Sequence, residues 1–218
     1  VIVDEAYRYC EHQVRHHDKD RFLASLYAPA ERRPFLFALY AFALEIGRVR
    51  RVVREPLVGT IRLQWWREAL DGTRAEEAGA NPVMVALQDA ARRSGLEVDT
   101  LIDAVEARQS ELYGTSAVEA EAAVFVAAAR LLAPPVDLAA VARQAARAVT
   151  FASDPRRSDE AAQAYAAFRA HGAEVPQPAL PAFLTVALVP LRLRRPEAPQ
   201  WRRQIELMRA AWFGFPRP

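Results

Sequence analysis

"LYAFALEIGRVRRVVREP", residues 39–56, is the stretch on which the reading of the whole chain turns. Its first half is leucine, alanine and aromatic residues with no glycine or proline, a composition that favours helix. Extended backwards, Phe35, Leu39, Phe42 and Ile46 recur three and four apart, so they share one helical face. The pattern predicts a helix from Arg33 to about Val53, with Pro34 in the first turn, where a missing N–H costs nothing. At Gly47 the apolar run gives way to Arg48, Arg50, Arg51 and Arg54. On one continuous helix Arg48, Arg51 and Glu55 would share a face, and Gly47, Arg50 and Arg54 another. Three readings of this basic end stay open: a surface pair Arg51–Glu55 with solvated neighbours, a protein-docking patch, or a site for phosphate or anionic lipid.

Working outwards, the chain predicts helix almost everywhere. Residues 4–18 carry Asp4 at one end and His16 and His17 at the other, matching the helix dipole. Pro56 opens a helix that Gly72 closes, with Leu63, Trp66 and Leu70 on one face. Asn81 and Pro82 read as cap and first turn of a helix running to Ser94, and Gly95 as its left-handed end. Helices follow from Asp99 to Tyr113, over the alanine-rich 116–132 up to Pro134 and Pro135, and over 137–151 with Asp137 as cap. The stretch "SDPRRSDEA", 153–161, reads as a loop, with Ser158 capping a helix that ends near Gly172. "AEVPQPALP" reads as a bend, Pro190 as a break in the apolar 182–193, and Pro199 and Gly214 as the bounds of the last helix. Eight to ten helices in one all-α domain over 1–218 is the expectation.

Composition narrows the function. The 218 residues suit one domain or two, and half are apolar, enough for a sizeable core. A net charge of +2 does not indicate nucleic acid. Cys10 is the one cysteine, which excludes an internal disulfide and a cysteine-built metal site. No apolar run in the sequence is long enough to cross a bilayer, and no signal peptide is expected within these residues. P-loop, dinucleotide-binding and HExxH patterns are absent. His12 and His16 share a helix face, with Asp20 as the nearest further ligand, but two histidines do not make a zinc site. The expected location is cytoplasmic, with peripheral contact at the inner membrane.

The first 72 residues carry a resemblance. "DRFLASLYAPAERRPFLFALYAF" followed by "LQWWREALDG" resembles the squalene/phytoene synthase family, all-α prenyltransferases with the isoprenoid synthase fold. The matching residues are Phe22, Leu23, Leu26, Tyr27, Pro29, Arg32, Arg33 and Ala38 to Phe42, then Leu63, Trp65, Trp66, Arg67, Leu70 and Gly72. "LEIGRVRRVVREPLVGTIRLQWWREAL" is similar to a noncatalytic branch, the bacterial relatives of a mitochondrial assembly factor for respiratory complex I. The resemblance implies a truncated, isoprenoid-synthase-like bundle of helices.

Active members of that family ionise an allylic diphosphate with magnesium, which needs hard oxygen ligands. The resemblance places the first aspartate-rich motif where this chain has Gly47, Arg48 and Arg51. Glycine offers no ligand, and arginine offers five donors and no acceptor. Glu45 lies two residues early, roughly 200° around the helix. The second motif falls on 138–151, "LAAVARQAARAVTF", which has no acid but carries Arg143 and Arg147 four apart. No magnesium site, no cofactor and no catalytic residue are therefore expected. The expected function is a pseudoenzyme acting by protein interaction, with Arg48, Arg50, Arg51, Arg54, Arg143 and Arg147 as a patch for a partner, an isoprenoid diphosphate or an anionic lipid. Tyr40, Phe42 and Trp66 would line any surviving pocket. The alternative is a divergent prenyltransferase with acids from Glu55, Glu106 or Glu111.

Trp65 and Trp66 point about 100° apart, one to the core and one to a neighbouring helix. Trp212, Phe213 and Phe215, with Arg209 and Arg217 nearby, are either core packing with a frayed tail or a contact with membrane or partner.

Overall fold

A computed structural model describes residues 2–134 and 136–215. Among them there are helices and no strands. Pro135 and Arg217 lie outside the described residues. The helices are α1 (Val3–His17), α2 (Lys19–Ser25), α3 (Arg33–Val52), α4 (Pro56–Leu70), α5 (Ala75–Ala80), α6 (Pro82–Ser94) and α7 (Val98–Leu112). They continue as α8 (Val118–Leu132), α9 (Ala139–Phe151), α10 (Ser158–Ala170), α11 (Leu180–Phe183), α12 (Val189–Arg194) and α13 (Gln200–Phe213). The count exceeds the expected eight to ten because α2, α5, α11 and α12 are short, and short helices carry little periodicity to read.

The centre of the bundle is α3. From Phe35 to Ala43 every side chain is buried, so this helix is apolar all round because neighbours cover it all round. It packs on α1, α6 and α8, with α2, α4 and α7 also against it. Alanines let the next layer close tightly: α9 packs on both α8 and α10, and its Ala142, Ala145, Ala146 and Ala148 are all fully buried. On the other flank α4 packs on α7. Gly59 permits this approach, since a Cβ there would lie 2.7 Å from Leu112 Cδ1. Cys10 is fully buried, and burial pushes its thiol up to about 12, which leaves it inert.

Several ends follow their sequence signals. Asn81 Oδ1 accepts hydrogen bonds from the Val83 and Met84 amides, and Gly95 closes α6 at φ 73°. Asp137 Oδ1 accepts from the Ala139 amide at 3.0 Å. Others differ. Ser158 is the first residue of α10 and does not cap it; Asp154 instead accepts from the Arg156 amide and caps a 3-10 turn over Pro155–Arg157. Pro190 does not break a helix but sits in the first turn of α12, after a 3-10 turn over Leu184–Leu188. No helix among the described residues is long and apolar enough to cross a membrane.

Candidate functional site

The basic end of α3 is built differently from its sequence reading. The helix stops at Val52, and Val53 is extended at φ −88° and ψ 140°. Glu55 therefore belongs to the cap of α4, and the continuous helical face that would join Arg51 to Glu55 does not exist. For the same reason Arg54 leaves the face of Gly47 and Arg50. Arg48 Nη1 instead donates to Glu45 Oε1 at 3.1 Å, and Arg50 Nη1 donates to the Glu111 carbonyl oxygen at 2.6 Å. Arg51 and Arg54 are exposed. Surface pairs of this kind contribute at most about 1 kcal/mol.

Behind that rim lies a line of charges that ties four helices together. Gly47 faces Arg108 of α7: a Cβ on it would lie 3.8 Å from Arg108 Nη2. Arg108 Nη1 donates to Glu111 Oε2 at 2.6 Å, and its Nη2 is 3.6 Å from Glu121 Oε2 on α8. Glu121 also accepts from Arg21 Nη2 of α2. Arg21 Nη1 is 3.6 Å from Asp18 Oδ2, and its guanidinium lies 5.1 Å from the centroid of the Tyr40 ring on α3. Burial works to lower the Arg21 pKa, but Glu121 and Asp18 outweigh it and hold the guanidinium firmly charged. At Asp18 burial raises the carboxyl pKa, and Arg21 only partly offsets this. Burial likewise raises the Tyr40 phenol.

This network opens on a polar cavity of about 320 Å³. Asp18, Asp20, Arg21 and Glu121 line it from one side, Thr150 and Ser153 from α9 and the turn after it, and Arg192 from α12. Asp20 is 5% exposed, and its Oδ2 accepts from Arg192 Nη2 at 3.2 Å and Arg203 Nη1 at 3.0 Å. Asp20 is thus engaged by arginines, while His12 and His16 stack on each other at 4.0 Å. Asp20 turns inward because two guanidinia compensate its burial there. Its Oδ1 makes no hydrogen bond within the chain.

The donor set does not suit magnesium. The three carboxylates bordering the cavity are each paired with a guanidinium, which already supplies their counter-charge. Among the described residues, no three Asp, Glu, His or Cys side chains are grouped to hold a metal ion. Helix α9, where the resemblance puts the second acidic motif, turns Val149 and Thr150 to the cavity and has no acid.

The remaining predicted residues are scattered. Tyr40 is buried under Arg21, and Phe42 is fully buried, edge-on to Trp66 with centroids 5.5 Å apart. Only Trp66 reaches a groove, a surface cleft of about 490 Å³ that it shares with Glu45, Arg48, Val52 and Arg62. Trp65 lines the same cleft and donates from Nε1 to Glu77 Oε2 of α5 at 2.9 Å. Arg143 pairs with Glu119 at 3.4 Å, and Arg147 lies over Phe151, so neither joins the α3 arginines. Nor do the three alternative acids converge: Glu55 is exposed, Glu106 binds Arg67 at 3.2 Å, and Glu111 binds Arg108. Asp18, Arg21, Arg108 and Glu121 escaped the sequence reading. Their trace is weak: Asp18–Arg21 and Arg108–Glu111 are spaced three apart, and Glu121 is an acid inside a strongly apolar helix.

Comparison with known proteins agrees with this architecture. The model of the squalene/phytoene synthase family matches residues 14–124. Bovine "NADH dehydrogenase (ubiquinone) complex I, assembly factor 6" is 33% identical over 105 residues, 48% of this chain and 32% of that protein. Its human counterpart is 33% identical over 104 residues, 48% of this chain and 31% of that protein. The matched part thus spans about a third of these relatives' length. Among solved structures, a dehydrosqualene synthase in complex with ligand superposes with a TM-score of 0.75 at 12% identity, over 97% of each chain. That likeness shows the isoprenoid synthase fold.

Proposed function

Because the chain belongs to the squalene/phytoene synthase family, we propose that it is a noncatalytic member acting by protein contact in the assembly of a respiratory complex. One observation carries the noncatalytic part. Where a magnesium-bridged diphosphate would require converging free carboxylates, Gly47, Arg48 and Arg51 replace the first acids, and Arg21 and Arg108 run through the interior behind them. Guanidinium groups there would repel a metal ion. The assembly role rests on the mammalian relatives whose names include it, over about half of this chain. The cytoplasm, at the face of the inner membrane, is the location this role requires.

Deleting the gene and measuring assembled complex I and its NADH oxidation in membranes tests the role. Loss of assembled complex, restored by the wild-type chain, is expected; unchanged levels would end the assembly reading. Catalysis is tested separately, by incubation with farnesyl and geranylgeranyl diphosphates and magnesium, where no sustained diphosphate release is expected.

The polar cavity favours a second reading, binding of an isoprenoid diphosphate or anionic lipid headgroup without turnover. Arg21 and Arg192 border that cavity beside Thr150, Ser153 and Thr185. Calorimetry with farnesyl diphosphate, without magnesium and then with it, distinguishes the readings. Metal-independent micromolar binding that Arg192→Ala abolishes would favour the ligand site; no heat in either condition would end the ligand reading.

A further inference from the structure

Helix α13 has two apolar faces, and only one is used. Leu207 and Ala210 are buried, and Arg203 reaches in to Asp20. On the opposite side, Trp201, Ile205, Met208 and Trp212 follow at spacings of four, three and four, which places them within roughly 60° of one another. All four are exposed, Trp212 at 72%, and Phe213 beyond them at 83%. The sequence left core packing or a contact surface open for this segment; the structure turns Trp212 and Phe213 outward, while Phe215 packs edge-on against Phe168 at 4.8 Å.

The neighbourhood of this stripe is apolar and basic. Beside it, Leu23, Leu26 and Tyr27 of α2 and the turn after it form a cleft of about 460 Å³ with Trp201, Ile205 and Met208. Along its other border stand Arg202, whose guanidinium lies 4.9 Å from the Trp201 ring, and exposed Arg209. Arg194 and Arg209 share a second cleft with Phe213. Residues 189–215 hold six arginines against Glu197 and Glu206; Arg192 and Arg203 turn in to Asp20, which leaves Arg194, Arg195, Arg202 and Arg209, in a chain of net charge only +2.

We infer that the outward face of α13 is a docking surface for an anionic membrane, on which this helix lies in the plane of the headgroups. Three observations choose a bilayer over a partner helix. Tryptophan stands at both ends of the stripe, and indoles with an apolar body and a polar N–H favour the membrane–water interface. Arg202 and Arg209 stand beside the stripe, and such side chains can lay their stems on apolar surface while their heads reach lipid phosphates. The apolar cleft beside the stripe is open to an acyl chain, with Gln204 as the one side-chain amide in it. This surface is separate from the polar cavity and does not depend on the proposed assembly role.

The test is flotation of the full chain with vesicles of phosphatidylcholine alone and with about a third phosphatidylglycerol, with tryptophan emission recorded in parallel. Binding to the anionic vesicles, with a blue shift, is expected, together with little binding to neutral ones. Trp201→Ser with Trp212→Ser removes exposed rings only, so the fold should survive by circular dichroism while the bound fraction falls about tenfold or more. Arg202→Gln and Arg209→Gln are each expected to weaken anionic binding roughly fivefold. A control pair on another exposed apolar patch, Leu57→Ser with Ile61→Ser, should bind as wild type. Unchanged binding by the double tryptophan variant, or loss of binding in the control pair, would overturn the assignment. So would an absence of vesicle binding combined with a dimer in solution that the tryptophan substitutions dissolve, which would make the stripe a seam between copies.

Discussion

Glu121 is where the interior network is most exposed to a single change. Its carboxylate binds Arg21 with one oxygen and faces Arg108 with the other, and all three side chains are less than 15% exposed. Glu121→Leu keeps the volume roughly constant but leaves two guanidinia without their shared counter-ion. Removing one partner of a buried pair costs about 3–5 kcal/mol, because the surviving charge stays desolvated. Part of that is recovered here: Arg21 keeps Asp18 at 3.6 Å, and Arg108 keeps Glu111 at 2.6 Å. The expected net loss is therefore toward the lower end, about 3 kcal/mol, or a melting point lower by roughly 6–12 °C for a chain of this size. Urea denaturation at neutral pH followed by circular dichroism measures it. Arg21→Met alone should cost a similar amount, and Arg21→Met with Glu121→Leu much less than the sum, since an apolar pair of matching volume restores the balance. A loss under about 1 kcal/mol for Glu121→Leu, or a double variant equal to the sum of the singles, would refute the account of a coupled buried network.

Asp89 gives a pH prediction. Burial works to raise its carboxyl pKa, but the Tyr7 hydroxyl at 2.9 Å and Arg93 at 3.2 Å prevail and hold it below the usual carboxylate value. The unfolded chain then takes up the proton first, so the stabilisation is present above about pH 4 and disappears as pH falls through the lower folded value. Asp89→Asn should lower stability by about 1–2 kcal/mol at pH 7 and flatten the decline below pH 4, read from urea titrations at several pH values. Gly59→Val should cost about 1–3 kcal/mol, since the added methyls meet Leu112 and Val53 where α4 enters; thermal unfolding would reveal it. Asn81→Ala removes the acceptor of two amides at the start of α6 and should cost about 1 kcal/mol, while Asn81→Asp keeps it; denaturant midpoints compare the two.

What the sequence determined by itself was local and periodic. The apolar face of α3, the cap at Asn81, the left-handed Gly95 and the proline starts at Pro34, Pro56 and Pro82 are set by neighbours within a turn or two, so they were legible in one dimension. The resemblance carried on residues 22–72 likewise led to the all-α fold that the comparison with a solved structure shows. That Gly47, Arg48 and Arg51 offer no oxygen ligand was legible too, because residue type alone decides whether a side chain can supply one. Only the tertiary structure decided which charges meet behind them. Arg21, Arg108 and Glu121 are separated by 87 and 13 residues along the chain and meet only because α2, α7 and α8 converge around α3. The same holds for Asp20 and its arginines 172 and 183 residues away. Arg51 and Glu55, close in sequence, do not pair because the backbone turns extended at Val53 between them. A buried charge is tolerated only where distant segments deliver its counter-charge, and that delivery is a property of packing and not of spacing.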